Sequence, residues 1–478
     1  MTTAGNAGGQ RVVVLGAGPG GYAAAFHAAD LGMQVTLVDS EPNPGGVCLY
    51  RGCIPSKALL HVSALLHEAK QAREWGVVFE QPAIDLAALR AWKDSVVRKL
   101  TGGLGMLGRQ RKVKYLQGRG RFADSHTLRV QLEGELVDVT FDYAIISTGS
   151  APLQPGSLRL DSPRVMDSTT ALELESVPDR LLVVGGGYVG LELGSVYASL
   201  GSAVTVVEIT SGLLPGVDRD LVEPLAKRLA TDFQSIMLDT RVTEMAKARG
   251  GVRVKLAALD REEEQSFDKV LVAVGRRPNS ADLGLESTKV TLDGHGFIVT
   301  DAQRRTAEPA IFAVGDVAGE PMLAHKATHE AKVAVQAIAG RPVAFEPAAI
   351  PAVVFTNPEI AWCGLTESTA RSSGVEITVL RYPWAASGRA ATLGRSEGLT
   401  KLVIDSQTAR VLGVGIVGAG AGDMIAEGTL AVETGARAED LAATIHAHPT
   451  LSETVMEAAE LFSGPATHYL GRARRGAG

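Results

Sequence analysis

The strongest constraint on the fold is an internal repeat. The segment RVVVLGAGPGGYAAAFHAADLGMQVTLVDS begins at Arg11, and RLLVVGGGYVGLELGSVYASLGSAVTVVEIT begins at Arg180. The two align without a gap at an offset of 169 residues, so Gly16, Gly18 and Gly21 fall on Gly185, Gly187 and Gly190, and Asp39 falls on Glu208. Each copy opens with a short β-branched run, the signature of a strand buried on both faces of a parallel sheet. G-x-G-x-x-G then turns the strand into a helix. The first glycine permits the tight turn, the second lets backbone approach a pyrophosphate, and the third lets helix and strand pack closely. Free N–H groups at the helix start face the phosphates. A second strand ends in an acid that can bond ribose hydroxyls. One such motif is weak, because glycine turns often join strands to helices. Two copies, each with strand, helix and acid at the expected distance, predict two Rossmann-like nucleotide units over two nucleotide-free α/β units. A carboxylate at Glu208 pairs with a free ribose 2′-hydroxyl and repels a 2′-phosphate, which favours NAD over NADP. Two dinucleotide sites in one chain point to electron transfer, and the natural partner for a hydride carrier is a flavin dinucleotide, FAD.

Composition narrows the class. Hydrophobic residues are 45% and charged residues 21% of 478, which supplies a core and excludes wholesale disorder. A net charge of −6 argues against coating nucleic acid or a membrane surface. Glycine, 54 of 478 residues, is about 11% against a usual ~7%, and without a Gly-X-Y period the excess belongs in tight turns and close backbone approaches. No apolar leader opens the chain and no run reaches the ~18 to 20 apolar residues of a spanning helix, so a soluble, cytoplasmic protein is expected. Three cysteines exclude a disulfide scaffold.

Two of those cysteines sit together in GGVCLYRGCIPSKALLHVSALLHEAK. On a regular helix, at ~100° per residue, Cys48 and Cys53 would point about 140° apart, so a bond between them needs a distorted first turn. Such strain favours reduction, and a helix N-terminus raises the thiolate fraction. From Ala58 a helix is expected, with Leu59, Leu60, Val62, Leu65 and Leu66 on its apolar face. A zinc site would want four ligands and C-x-x-C spacing, so no metal is expected. Two inert cysteines remain the plain alternative, but a Gly/Pro-rich turn beside a nucleotide loop favours redox work. Cys363, alone in AWCGL, reads as a core residue.

Near the C-terminus, HAHPTLSE carries two readings of equal weight. Pro449 holds His448 extended, Thr450 begins a helix, and Glu453 completes a capping box. Alternatively Glu453 orients His448 as a general base. One carboxylate oxygen suffices for each task. His446 is assigned mainly to structure.

GGVCLYRGCIPSKALL resembles the redox stretch of the flavin disulfide reductases, and within them the bacterial dihydrolipoamide dehydrogenase family. GRGRF at 118–122, IISTGS at 145–150, GRRPN at 275–279, IFAVGD at 311–316, PMLAHKATHEA at 321–331, PWAASGRA at 383–390 and HAHPTLSE at 446–453 carry the resemblance nearly end to end. It implies a glutathione-reductase-like α/β fold: two Rossmann-like domains and an α+β C-terminal dimerisation domain. The expected divisions are 1–149 for FAD, 150–274 for NAD, 275–346 returning to FAD, and 347–478 for the interface, with strands near VVFTNP and KLVIDS, a helix after DMIAEG and a frayed tail, GRARRGAG.

The resemblance also implies roles. Cys48 and Cys53 form the redox disulfide, and His448 with Glu453 supplies the base. Lys57 and Glu192 pair beside the flavin. Gly16, Gly18, Gly21, Asp39, Gly120, Thr148, Gly149, Asp316 and Ala324 hold FAD. Gly185, Gly187, Gly190, Glu208, Val242 and Gly275 hold NAD. Tyr188, inside the second glycine loop, covers the flavin or simply packs. A homodimer with shared active sites is implied, serving lipoyl domains and the core acyltransferase of 2-oxo-acid dehydrogenase or glycine cleavage complexes. The rivals are another reductase of the superfamily, acting on glutathione-like, mercuric or coenzyme A disulfides, and a docking subunit with catalysis secondary. One departure stands out: Tyr50-Arg51 lies between the cysteines where the family pattern has Asn-Val. It bears on local packing and redox potential, not on the chemistry.

Overall fold

A computed structural model describes residues 9–259 and 261–471. The repeat is a repeat in space. Strand Arg11–Leu15 lies in a five-stranded parallel sheet ordered Ile311–Ala313, Tyr143–Ile146, Arg11–Leu15, Gln34–Asp39, Lys114–Gln117. Strand Arg180–Val184 occupies the matching place in a second, ordered Ser235–Met237, Ala203–Val207, Arg180–Val184, Lys269–Val272, Val165–Met166. In each sheet the chain order reverses beside the glycine-loop strand. That leaves a crevice at the carboxyl ends of the strands, where α/β sheets bind ligands.

Both strands read as unbroken apolar runs because both faces are covered. Val12 and Val14 meet helices Pro19–Asp30 and Ala324–Ile338, whereas Val13 and Leu15 meet Phe122, Leu128 and Phe141. In the second unit Leu181 and Val183 pack on helix Tyr188–Ser199, and Leu182 and Val184 on Val252, Val254 and Phe267. The covering layer on the second face is a three-stranded antiparallel meander in both cases. One runs Arg119–Asp124, Thr127–Gln131, Leu136–Thr140, and the other Arg241–Ala248, Gly251–Ala258, Arg261–Phe267. Only the first is legible in the sequence, where DSHTLRVQLEGELVDVTFDYAIIS reads as antiparallel strands leading back to the sheet. The second hides in charged alternation such as REEEQSF, which covers the sheet with few apolar residues.

The chain passes between the sheets twice, and the crossings pair as an antiparallel ribbon, Ser150–Pro152 with Arg276–Pro278. Ile311–Ala313 then closes the edge of the first sheet. The C-terminal part is a five-stranded antiparallel sheet covered by helices Ala421–Thr434 and Glu453–Glu460, with Trp384, Tyr382 and Cys363 in its core. The helix expected after DMIAEG instead contains that segment: it starts at Ala421, directly after Gly420 in a left-handed turn. Apart from Gly471, the tail lies outside the described residues. Among the described residues no helix is long and apolar enough to cross a membrane.

Candidate active site

The glycine loops build the site. Gly16 and Gly185 take φ of +94° and +111°, and a Cβ there would lie 2.3 and 2.4 Å from the carbonyl oxygens of Ser147 and Ala273. Gly18 and Gly187 differ in kind. A Cβ at Gly18 would meet nothing nearer than 3.9 Å, and one at Gly187 nothing within 4 Å, so these positions keep open space for a ligand. Both are N-caps of their helices and offer no side-chain cap, which leaves the first N–H groups free to bind phosphate. Gly21 and Gly190 face inward: a Cβ would meet the Gly16 oxygen at 1.7 Å and the Gly185 oxygen at 2.2 Å. They are packing positions and not cavity wall. Gly120 is another, because a Cβ there would press on Leu15 at 2.7 Å and Leu128 at 3.0 Å.

The strand-end acids repeat the correspondence. Asp39 accepts from the Ala17 N–H at 2.6 Å and the Glu41 N–H at 2.9 Å. Glu208 accepts from the Gly186 N–H at 2.6 Å and the Thr210 N–H at 2.8 Å. Each acid thus clamps its own glycine turn. A carboxylate offers about four lone-pair sites, so capacity remains for ribose. The donor set, open backbone and free helix starts fit two dinucleotides.

Two cavities open there. One, of about 650 Å³, is lined by Gly185, Gly187, Glu208, Val242 and Gly275. The other, of about 350 Å³, is lined by Gly16, Gly18, Asp39, Cys48, Cys53, Lys57, Thr148, Gly149, Glu192, Asp316 and Ala324. Tyr188, Val189 and Arg276 line both, so the cavities meet at the second glycine loop. Arg276 donates to the Ser150 hydroxyl at 2.7 Å, and that hydroxyl donates to Asp316 at 2.5 Å, tying one cavity wall to the other. Thr148 donates to the Asn279 carbonyl at 2.7 Å.

The cysteines sit at the break between two helices. Gly46–Arg51 carries Cys48, and Cys53–Gln71 begins at Cys53, five residues earlier than the sequence suggests. Gly52 makes the break, and a Cβ there would lie 2.8 Å from the Val47 oxygen. The structure holds both cysteines as thiols. The hydrogen bond from Cys48 pulls Cys53 down to about 7 against the cost of burial, helped by the Lys57 ammonium and by the Cys53 backbone N–H at the helix start. The same bond, with burial, pushes Cys48 up. Nearby Lys57 and the helix start favour the thiolate at Cys53. Lys57 is itself held by Glu192 at 2.7 Å and lies 4.6 Å from the Phe355 ring centre, while Glu192, nearly fully buried, also accepts from the Phe355 N–H at 3.0 Å.

Glu453 makes a contact suited to each of the two readings. One oxygen bonds His448 Nδ1 at 2.8 Å and the other accepts from the Thr450 N–H at 2.7 Å. Against the opposing effect of burial, the Thr450 N–H and the His448 imidazole hold its carboxyl below the ordinary value. The capping box is half formed: the Thr450 hydroxyl donates to the Ala447 carbonyl, and the helix starts at Glu453, three residues later than expected. The His448 side chain is 72% exposed, and no hydrogen bond or ion pair among the described residues joins it to either cysteine. His446 is tied down by Glu427 at 2.7 Å and the Thr444 carbonyl at 2.8 Å.

Two charge clusters escape the sequence reading. Behind the Gly315 turn, fully buried Glu330 accepts from the Gly315 N–H at 2.7 Å and binds Arg304 and Lys326. The Lys326/Glu330 spacing on a helix was its one available signal. Between the second sheet and the C-terminal sheet, Asp218, Asp220 and Glu367 are placed to share a cation, and that cation is Lys401.

Residues 10–331 match the family described as pyridine nucleotide-disulphide oxidoreductase, and residues 350–459 match its dimerisation domain. The chain is 47% identical over 458 residues to a dihydrolipoyl dehydrogenase of Vibrio parahaemolyticus, covering 96% of each. It is 44% identical to that of Geobacillus stearothermophilus, covering 96% of this chain and 97% of the relative. Among solved structures, LpdA of Mycobacterium tuberculosis superposes with a TM-score of 0.88 at 27% identity, covering 95% of this chain and 99% of that one. The HOCl-induced flavoprotein disulfide reductase RclA of Escherichia coli gives 0.83 at 28%, with the same coverage.

Proposed function

Because the chain belongs to the pyridine nucleotide-disulphide oxidoreductases, with their dimerisation domain at its C-terminal end, we propose that it oxidises protein-bound dihydrolipoamide to lipoamide and reduces NAD⁺. The observation that carries this reading is the sulfur pair in the wall of the first glycine-loop cavity, one wall away from a second nucleotide cavity, in a chain whose full-length relatives bear that name. We divide the chain as expected, at 149/150 and 274/275, where the crossings form the ribbon, and at 346/347. It works in the cytoplasm, as a homodimer serving lipoyl domains and the core acyltransferase of a 2-oxo-acid dehydrogenase or glycine cleavage complex.

The chemistry of the chain's own groups is as follows. His448, oriented through Nδ1 by Glu453, takes the proton of one substrate thiol at its free nitrogen. The thiolate attacks Cys48 Sγ, the Cys48–Cys53 bond breaks, and its electron pair leaves on Cys53. The Lys57 ammonium and the helix start stabilise that thiolate. The second substrate thiol gives its proton to Cys48 as its sulfur closes the lipoyl ring and breaks the mixed disulfide. One proton then rests on His448, one on Cys48, and the electron pair on the reduced couple. The Gly16–Gly21 loop, Asp39, Asp316 and the free start of helix Ala324–Ile338 would hold FAD, which when bound would relay the electron pair from that couple to NAD⁺ as hydride. The outward-facing imidazole supports a shared site, in which the partner subunit's His448 serves this chain's disulfide.

The test is a steady-state assay of the purified protein with dihydrolipoamide or reduced glutathione as donor and NAD⁺ or NADP⁺ as acceptor. Turnover with dihydrolipoamide and NAD⁺, in a yellow protein, is expected. A colourless protein that FAD does not reconstitute, or a preference for glutathione, would overturn the reading. Glu208→Arg should weaken use of NAD⁺ relative to NADP⁺ by about 10- to 100-fold, the worth of a charged hydrogen bond. Glu208→Gln, which keeps a carbonyl acceptor for one of the two N–H groups, should fall between. An unchanged ratio of kcat/KM values in the arginine variant would sink the ribose assignment.

A further inference from the structure

The two residues at which the redox stretch departs from the family pattern hold one loop. That loop runs from Ser40 to Gly45, between the strand ending at Asp39 and the helix Gly46–Arg51. Ser40 and Glu41 line the first cavity, as do Gly46 and Arg51. Tyr50 accepts from the Asn43 N–H at 3.2 Å and donates to the Asn43 carbonyl at 3.0 Å. The Arg51 guanidinium pairs with the Glu41 carboxylate. Tyr115 donates to the Glu41 carbonyl at 2.7 Å from the neighbouring strand. The Asn43 side-chain oxygen packs against Gly105 of a later long helix, where a Cβ would lie 2.1 Å from it.

We propose that Tyr50 and Arg51 form a clasp that fastens the Glu41–Asn43 loop over the adenylate-ribose end of the bound flavin dinucleotide and slows its release. This rests on the reading of the first cavity as the FAD site. With pyrophosphate at the glycine loop and ribose at Asp39, the residues after Asp39 stand on the adenylate side. A loop fastened beforehand loses little freedom when the cofactor binds, so the clasp acts on cofactor retention through pre-organisation. Arg51 and Tyr50 are positioning residues: they act through the loop. Their helix also carries Cys48, so one short element sets both the cofactor's seat and a reacting sulfur.

The experiment follows flavin release from the intact holoenzyme by the rise in free-flavin fluorescence after dilution into moderate chaotrope. Thermal unfolding of the flavin-free protein is measured in parallel. Arg51→Val and Glu41→Gln should each release FAD roughly two- to fivefold faster, and the double variant no faster than either alone, because one pair is lost in all three. Tyr50→Phe should accelerate release by a smaller factor. The flavin-free melting temperatures should stay at the wild-type value. Release at the wild-type rate from the Arg51 and Glu41 variants, beside a wild type that holds FAD, would overturn the clasp alone. Additive effects in the double variant would overturn the pairing, and equal destabilisation of the flavin-free protein would reduce it to a structural contact. A wild type unable to bind FAD would remove the cofactor reading and the clasp with it.

Discussion

Replacing His448 by glutamine is expected to slow dihydrolipoamide oxidation by about 10²- to 10⁴-fold, the usual worth of a placed general base. Oxidation of NADH by an artificial acceptor should stay near the wild-type rate. The split follows from where the imidazole sits. It is 72% exposed and 2.8 Å from Glu453, while the cysteines, Lys57 and Glu192 belong to the wall of a cavity between the nucleotide units. Glutamine can still bond Glu453 but cannot take a proton from a thiol. The melting temperature should not move, because Glu453 keeps its bond to the Thr450 N–H and with it the start of helix Glu453–Glu460. Parallel assays with the two electron acceptors decide the matter. Equal losses in both would remove His448 from the sulfur chemistry.

Lys401→Met should cost about 3 to 5 kcal/mol of stability, the range for removing one partner of a buried ion pair. Lys401 is 1% exposed and lies 2.6 Å from Asp218, 2.6 Å from Asp220 and 3.1 Å from Glu367. Arg381 also pairs with Asp220 at 2.6 Å and with Glu367, but it is half-exposed and does not reach Asp218. Methionine matches the stem and leaves three carboxylates crowded around an apolar end. Burial opposes ionisation of Asp220, yet Lys401 and Arg381 hold it below its ordinary value. A carboxyl lowered in the folded state contributes stability above its unfolded pKa and loses it as the pH falls through the folded one. The deficit of the variant should therefore be full at neutral pH and shrink on acidification. Urea denaturation across that range measures it, and a deficit independent of pH would contradict the assignment. Asp218 also ends the segment that follows the second cavity's Thr210 and Pro215, so the variant should hold NAD⁺ more weakly as well.

The parts legible in the sequence share one property: each is settled within about thirty residues. A strand, a three-glycine turn, a helix and an acid leave their spacing on the chain whether or not the rest is known. The same holds for Cys48 and Cys53 at a helix start and for the proximity of His448 to Glu453. Misplacements occurred where local signals compete. Pro449 and Thr450 suggest a helix start that the structure delays to Glu453, because the Thr450 hydroxyl turns back to the Ala447 carbonyl. Gly120, outside both glycine-loop motifs, carries no mark that separates a glycine facing a ligand from one facing the core.

What the amino-acid order determined by itself was the duplicated nucleotide unit, the closeness of Cys48 to Cys53 at a helix start and that of His448 to Glu453. Tertiary structure alone decided which distant charges complete them. Ser150 meets Asp316 across 166 positions, Lys401 meets Asp218 across 183, and Arg381 meets Asp220 across 161. Polar groups withdrawn from water must find partners, and a partner so far along the chain is chosen by packing of whole sheets, which no local spacing records.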